Sequence, residues 1–233
     1  MSLAVRDTEV RELMDDPACD PERLAATLRR FDTVNRLVSG WGGVYRTRLA
    51  PRLAALGRPA RVLDLGCGGG DLVARLAALA RRDGLDVRWV GADPDPRALR
   101  IATARESADV RFVAADSGAL LAKGDVFDAV ISNHVLHHLG SELPVVAAQS
   151  RALSSGVVLH GDIARGRLAY ALYAIGITPL APGTFLRTDG LRSIRRSFTP
   201  DELRAALRAD TAGAWSVHAP APFRLLAEST ADA

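Results

Sequence analysis

The chain has 233 residues, with 30 Lys and Arg against 27 Asp and Glu, a net charge of +3, a pI near 9.3, 48% hydrophobic and 24% charged residues. That balance excludes a disordered or fibrous chain, and the length suits one α/β domain with additions better than two independent cores. Despite the basic pI, the cations are interspersed with acids and form no aromatic-studded stripe, so a nucleic-acid partner is not expected.

Residues 1–57 read as a helical extension. The acids Asp7, Glu9, Glu12, Asp15 and Asp16 at its start rule out a signal peptide. Pro21-Glu22-Arg23 opens a helix whose apolar stripe runs through Leu24, Leu28, Phe31, Val34 and Leu37 to a break at Ser39-Gly40-Trp41-Gly42-Gly43. A further helix is predicted from Val44 to Leu56, with Trp41 and Tyr45 either packed in the core or closing over a ligand.

From residue 58 short apolar runs alternate with amphipathic stretches. Strands are predicted at Val62–Leu65, Val87–Ala92, Val110–Val113, Phe127–Ser132 and Gly156–His160, and helices at Leu72–Arg81, Pro96–Ala104 and Leu143–Leu153. The alternation predicts βαβ units and a parallel sheet covered on both faces. A helical lid insertion is expected at about 163–197, including Tyr170 and Tyr173 as candidate walls for an aromatic substrate. Its uncharged run from Leu168 to Leu186 is interrupted by Gly176, Pro179, Pro182 and Gly183, so it is a poor membrane span. The cluster Arg187, Arg192, Arg195 and Arg196 reads either as a hold for an anionic substrate group or as solvated surface. Thr199-Pro200-Asp201-Glu202 is a capping-box helix start, and two strands, Ala214–His218 and Phe223–Ala227, close the chain. Two cysteines, Cys19 and Cys67, cannot build a disulfide framework, and a cytoplasmic location is expected.

The chemistry gathers at the strand ends. Glycines at 66, 68, 69 and 70 after the first strand allow a tight turn that exposes backbone N–H groups to a ligand. Asp93, closing the second strand, suits a ribose diol. Both features also occur in dinucleotide enzymes, but the third glycine of that fingerprint falls on Asp71. Asp64 at the turn, moreover, favours a cationic ligand such as a sulfonium amino acid and repels a pyrophosphate. An NAD(P)-dependent oxidoreductase therefore stays as the alternative.

Val62-Leu63-Asp64-Leu65-Gly66-Cys67-Gly68-Gly69-Gly70 resembles the first motif of class I S-adenosylmethionine-dependent methyltransferases. Three further stretches resemble later motifs in order: Val90-Gly91-Ala92-Asp93-Pro94, Phe112-Val113-Ala114-Ala115-Asp116-Ser117, and Phe127 through Leu139, the last in the small-molecule and quinone-biosynthesis branch. The resemblance implies a Rossmann-like seven-stranded mixed sheet with helices on both faces and the last strand antiparallel. It also implies S-adenosyl-L-methionine bound by Asp64, Gly66, Cys67, Gly68, Asp93, Pro94, Asp116, Ser117, Asn133 and His134. The expected activity is methylation of a small molecule, on the hydroxyl of a phenolic or polyketide-type ring, with carbon or nitrogen methylation as alternatives. His138 is the candidate base, partnered by Asp162, with His137 a second candidate; His160 and His218 read as structural or exposed. No metal ligand set is read, and the chain is expected to act as a monomer or homodimer.

Overall fold

The computed structural model describes residues 3–210 and 214–230; the outer ends of the 1–57 and 58–233 segments lie outside the described residues. Seven strands form one sheet: β1 (Ala60–Leu65), β2 (Val87–Ala92), β3 (Val110–Val113), β4 (Phe127–Asn133), β5 (Ser154–Ile163), β6 (Ser216–His218) and β7 (Arg224–Thr230). Their order is β3-β2-β1-β4-β5-β7-β6, with β7 antiparallel to both of its neighbours and the other six running the same way.

Alternation along the central strands supplies two apolar layers. Val62, Trp89, Ile131 and Leu159 face one side, where they meet α2 (Trp41–Val44), α3 (Ala50–Ala55) and α4 (Asp71–Arg82). Leu63, Val90, Val130 and Val158 face the other, joined by Leu120 of α6 (Ser117–Ala122) and, further along the sheet, by α7 (Leu143–Ala152) and α10 (Pro200–Leu207). Trp41 and Tyr45 lie inside the first layer, the Tyr45 hydroxyl donating to Asp83, so both are core residues and neither covers a ligand.

The seven-stranded sheet with its last strand antiparallel and most elements match the sequence expectations, and the differences have local causes. The break after α1 (Pro21–Val38) is confined to Ser39 and Gly40. Helix resumes at Trp41 and passes through a π-helical turn, Tyr45–Leu49, before α3. α6 carries no apolar periodicity long enough to announce itself; Asp116 caps it by accepting from the Ala119 N–H. Strands β5 and β7 run longer than their apolar cores because each pairs with the other through to Ile163↔Arg224. The capping box at Thr199 and Glu202 forms as expected.

Two further helices, α8 (Arg167–Gly176) and α9 (Leu186–Arg196), pack over the sheet's C-terminal edge against α1 and α5 (Pro96–Ala102), through Phe31, Val34, Tyr173, Ile177 and Leu186 and through Leu24, Leu28 and Phe185. No helix among the described residues is long and apolar enough to cross a membrane.

The glycine loop is held tightly by what surrounds it. Gly66, Gly68 and Gly70 adopt positive φ. A Cβ at Gly91 would lie 2.5 Å from the Phe112 ring and 2.9 Å from the Cys67 sulfur. Gly91→Ala is therefore expected to lower unfolding stability by about 1–3 kcal/mol in urea titration. Gly43→Ala, where nothing lies within 4 Å of the added atom, is expected to be neutral or stabilising by up to about 1 kcal/mol.

Candidate functional site

The loops after β1 and β4 part at the centre of the sheet, the crevice where ligands bind in open α/β folds. A cavity of about 1160 Å³ opens there, more than one small ligand fills. At one end lie Asp64, Gly66, Cys67 and Gly68 of the first loop, with Asp93 and Pro94 after β2. Asp116, Ser117, Asn133 and His134 border the same end. The rest of the lining is largely apolar and includes Phe31, Val34, Ile163, Leu172, Tyr173 and Ile177. Tyr173 thus reaches the cavity wall, its hydroxyl tied to the Leu186 carbonyl at 2.8 Å, whereas Tyr170 does not line it.

The first end is strongly acidic and incompletely satisfied. Asp64 is 2% exposed, and its Oδ1 has no hydrogen-bond partner. Burial, then the neighbouring Asp71 and Asp93, push its carboxyl well above the ordinary range. Asn133 Oδ1 is likewise buried and unpartnered. Asp93 accepts from the N–H groups of Gly68 (2.8 Å) and Asp95 (2.9 Å), which fixes the carboxylate against the glycine loop. Ser117 Oγ donates to Gln149 at 2.6 Å. Cys67 is buried and its thiol is pushed far above its ordinary value, so it serves as a small apolar member of the turn. Asp71, where a dinucleotide site needs glycine, is buried and accepts from the Asn35 side chain at 3.0 Å.

His134, His137 and His138 line the same cavity, and here the pairing differs from expectation. Asp162 is bonded to His137 and makes no contact with His138: Oδ1 accepts from the His137 ring Nδ1 and Oδ2 from its backbone N–H, both at 2.8 Å. The other ring nitrogen of His137 faces Glu12 at 3.2 Å. Burial alone lowers a histidine pKa, but two carboxylates outweigh it here and raise His137 to about 10. The same contact holds Asp162 far below the ordinary carboxylate range despite its burial. His137 is thus an imidazolium with both nitrogens committed, sitting in front of an Asp162 that does not itself reach the cavity. His138 is one-third exposed and lines the cavity, with Nδ1 3.4 Å from Asp15 and Nε2 3.7 Å from Glu12. His134 approaches Asp162 at 3.9 Å and the Arg224 guanidinium at 3.3 Å. Donor atoms of Glu12, His137 and His138, and of His134, His137 and Asp162, form two groups within 4.8 Å that share His137. His160 is buried away from the site, bonded to Ser132 and stacked on Trp215, and His218 pairs with Glu228.

Glu12 and Asp15 reach the histidines because residues 3–20, which form neither helix nor strand, are strapped across the site. The arginine cluster of α9 does the strapping rather than holding a substrate anion. Arg192 donates to the Arg11 carbonyl, Arg195 pairs with Asp7, and Arg196 pairs with Asp15. Asp189 accepts the Leu13 and Met14 N–H groups, and Ser193 donates to Glu12 at 2.6 Å. Sequence reasoning missed Glu12, Asp15, Ser193 and Arg224, since nothing in an irregular acidic segment or at the start of an apolar strand singles them out.

Residues 62–156 match the family described as "Methyltransferase domain". The chain is 32% identical over 154 residues to the ubiquinone biosynthesis O-methyltransferase of Roseobacter denitrificans, covering 64% of this chain and 58% of that protein. It is 41% identical over 104 residues to the demethylmenaquinone methyltransferase of Thermus thermophilus, covering 43% and 46%. It thus spans about half the length of these curated relatives. In fold it resembles the plantazolicin methyltransferase BpumL in complex with a pentazolic desmethylPZN analog and SAH (TM-score 0.63, 14% identity, 95% and 97% covered). A second neighbour is human N-acetylserotonin methyltransferase in complex with SAM (TM-score 0.60, 14% identity, 87% and 54% covered). Residues 62–156 match a methyltransferase domain, in a fold shared with methyltransferases solved with SAH or SAM, and S-adenosylmethionine is the cofactor this implies. The site fits that molecule: a buried, unpartnered Asp64 oxygen awaits a cation, and the orphaned Asn133 oxygen awaits a donor.

An Asp64 carboxyl pushed upward must release its proton to pair with the ligand's positive charge. Affinity for S-adenosylhomocysteine, which retains the ammonium group, should therefore rise as pH increases above the ordinary carboxylate value of about 4. Calorimetry should show proton release on binding, and Asp64→Asn should lose most of this pH slope and bind about tenfold or more weakly.

Proposed function

We propose that the protein transfers the methyl group of S-adenosylmethionine to a small molecule, on the hydroxyl oxygen of a phenolic or polyketide-type ring. The single observation that carries this reading is one cavity lined both by the acidic strand-end residues and by an apolar arm of side chains from α1 and α8, with His138 on its wall. Relatives named for quinone O-methylation support the acceptor class, and the apolar arm suits a ring bearing hydrocarbon.

When bound, the donor supplies an electrophilic methyl group on a sulfonium. The chain's own residues then have two tasks, orientation and proton removal. Asp64, Asp93, Asn133 and the loop Gly66-Cys67-Gly68 hold the donor, with Pro94, Asp116, Ser117 and His134 bordering it. His138 takes the proton from the acceptor hydroxyl, and Asp15 and Glu12 stabilise the imidazolium that results. Asp162 and His137 act as positioning residues. Their paired hydrogen bonds pin the loop that presents His138, and His137, already protonated, is unable to take a further proton. The acid at Asp71 disfavours a dinucleotide pyrophosphate in the same crevice. A cytoplasmic enzyme working as a monomer or homodimer completes the reading.

His138→Ala should leave S-adenosylhomocysteine affinity within about twofold while lowering turnover roughly a hundredfold or more in a radiolabelled-methyl assay. Undiminished turnover would remove His138 from the mechanism and leave it a structural role.

A further inference from the structure

Arg224 opens β7 opposite Ile163, at the sheet edge that borders the cavity. It is 4% exposed. Its Nε donates to the Val38 carbonyl at 2.5 Å and one terminal nitrogen contacts His134 Nε2 at 3.3 Å. Both partners are neutral, because burial and the adjacent guanidinium hold His134 well below its ordinary pKa. Among the described residues no carboxylate lies within ion-pair distance of Arg224. The nearest buried acid, Asp162, already serves His137 and the Ile163 N–H. A guanidinium offers five N–H donors, and this one has two engaged.

A buried cation without a counter-ion is costly, and burial lowers Arg224 to about 10, which still leaves it charged at neutral pH. Backbone strain gathers around it as well. His134 and Phe223, the only non-glycine residues of positive φ among the described residues, are its hydrogen-bond partner and its chain neighbour. Strain of this kind clusters where ligands are gripped. Arg224 lines the cavity, as do Ile163, Tyr173 and Phe223.

We propose that Arg224 anchors a delocalised oxyanion on the methyl acceptor, so that the substrate is an acidic small molecule with an apolar tail. The planar fork suits either of two sources of that anion, a carboxylate substituent or an ionised ring oxygen such as an enolate. The inference rests on the methyl-transfer reading for the word acceptor. The anion site itself is read from Arg224 alone.

The test measures binding to the S-adenosylhomocysteine-loaded protein of three probes with matched tails: 4-octylbenzoate, 6-octyl-4-hydroxy-2-pyrone and the neutral 4-octylbenzamide. The wild-type protein should bind at least one anionic probe about tenfold or more tightly than the amide, and Arg224→Gln should bring the three within about twofold without changing affinity for the amide or for S-adenosylhomocysteine. Preference for the benzoate identifies a carboxylate, and preference for the pyrone identifies a ring oxyanion. No anion preference in the wild-type protein, or a preference that survives in Arg224→Gln or in Arg224→Met, overturns the proposal. Absence of S-adenosylhomocysteine binding would instead overturn the methyl-transfer reading, so the two failures are distinguishable.

Discussion

Asp64 sits at the end of the central strand, buried and without a cation beside it, and much of the site's arrangement follows from that uncompensated acid. β1 has strands on both sides, which holds Asp64 in place beneath the cavity. Asp71 and Asp93 flank it and raise the same cost. Under the proposed methyl-transfer reading, a positively charged donor relieves that cost where a pyrophosphate would aggravate it.

The rest of the edge is organised by charge of alternating sign. Asp162 and Glu12 sandwich His137 and make it a fixed imidazolium, which anchors the loop that carries His138. Arg224 adds a second uncompensated buried charge, of opposite sign, on the cavity lining. The N-terminal strap supplies Glu12 and Asp15, and α9 holds the strap in place through its arginines, Asp189 and Ser193. Closure of the cavity and completion of the histidine network therefore depend on the same contacts.

What was legible in the sequence is what local periodicity and short motifs encode. The parallel strands announce themselves as apolar runs, and the turn from Gly66 to Gly70 as a ligand loop, because each signal lies within a few residues. Seven strands with the last antiparallel came from the family resemblance, and the structure has that order. The pairing of Asp162 with His137 was not legible, since the two adjacent histidine rings lie only 4.3 Å apart and only the fold decides which meets β5. Nor was the role of residues 3–20 legible. An acidic segment without periodicity looks like a solvated tail, and only contacts spanning more than 100 residues along the chain bring Glu12 to His137. The arginines near 190 have the same explanation, their partners lying at the other end of the chain.

The most direct measurement is a calorimetric titration of the purified protein with S-adenosylhomocysteine and, separately, with NAD. An acid-floored site of this geometry should bind S-adenosylhomocysteine at one site per chain and show no saturable heat with NAD. Saturable NAD binding without a response to S-adenosylhomocysteine would contradict the assignment of the Asp64 end to a methyl donor.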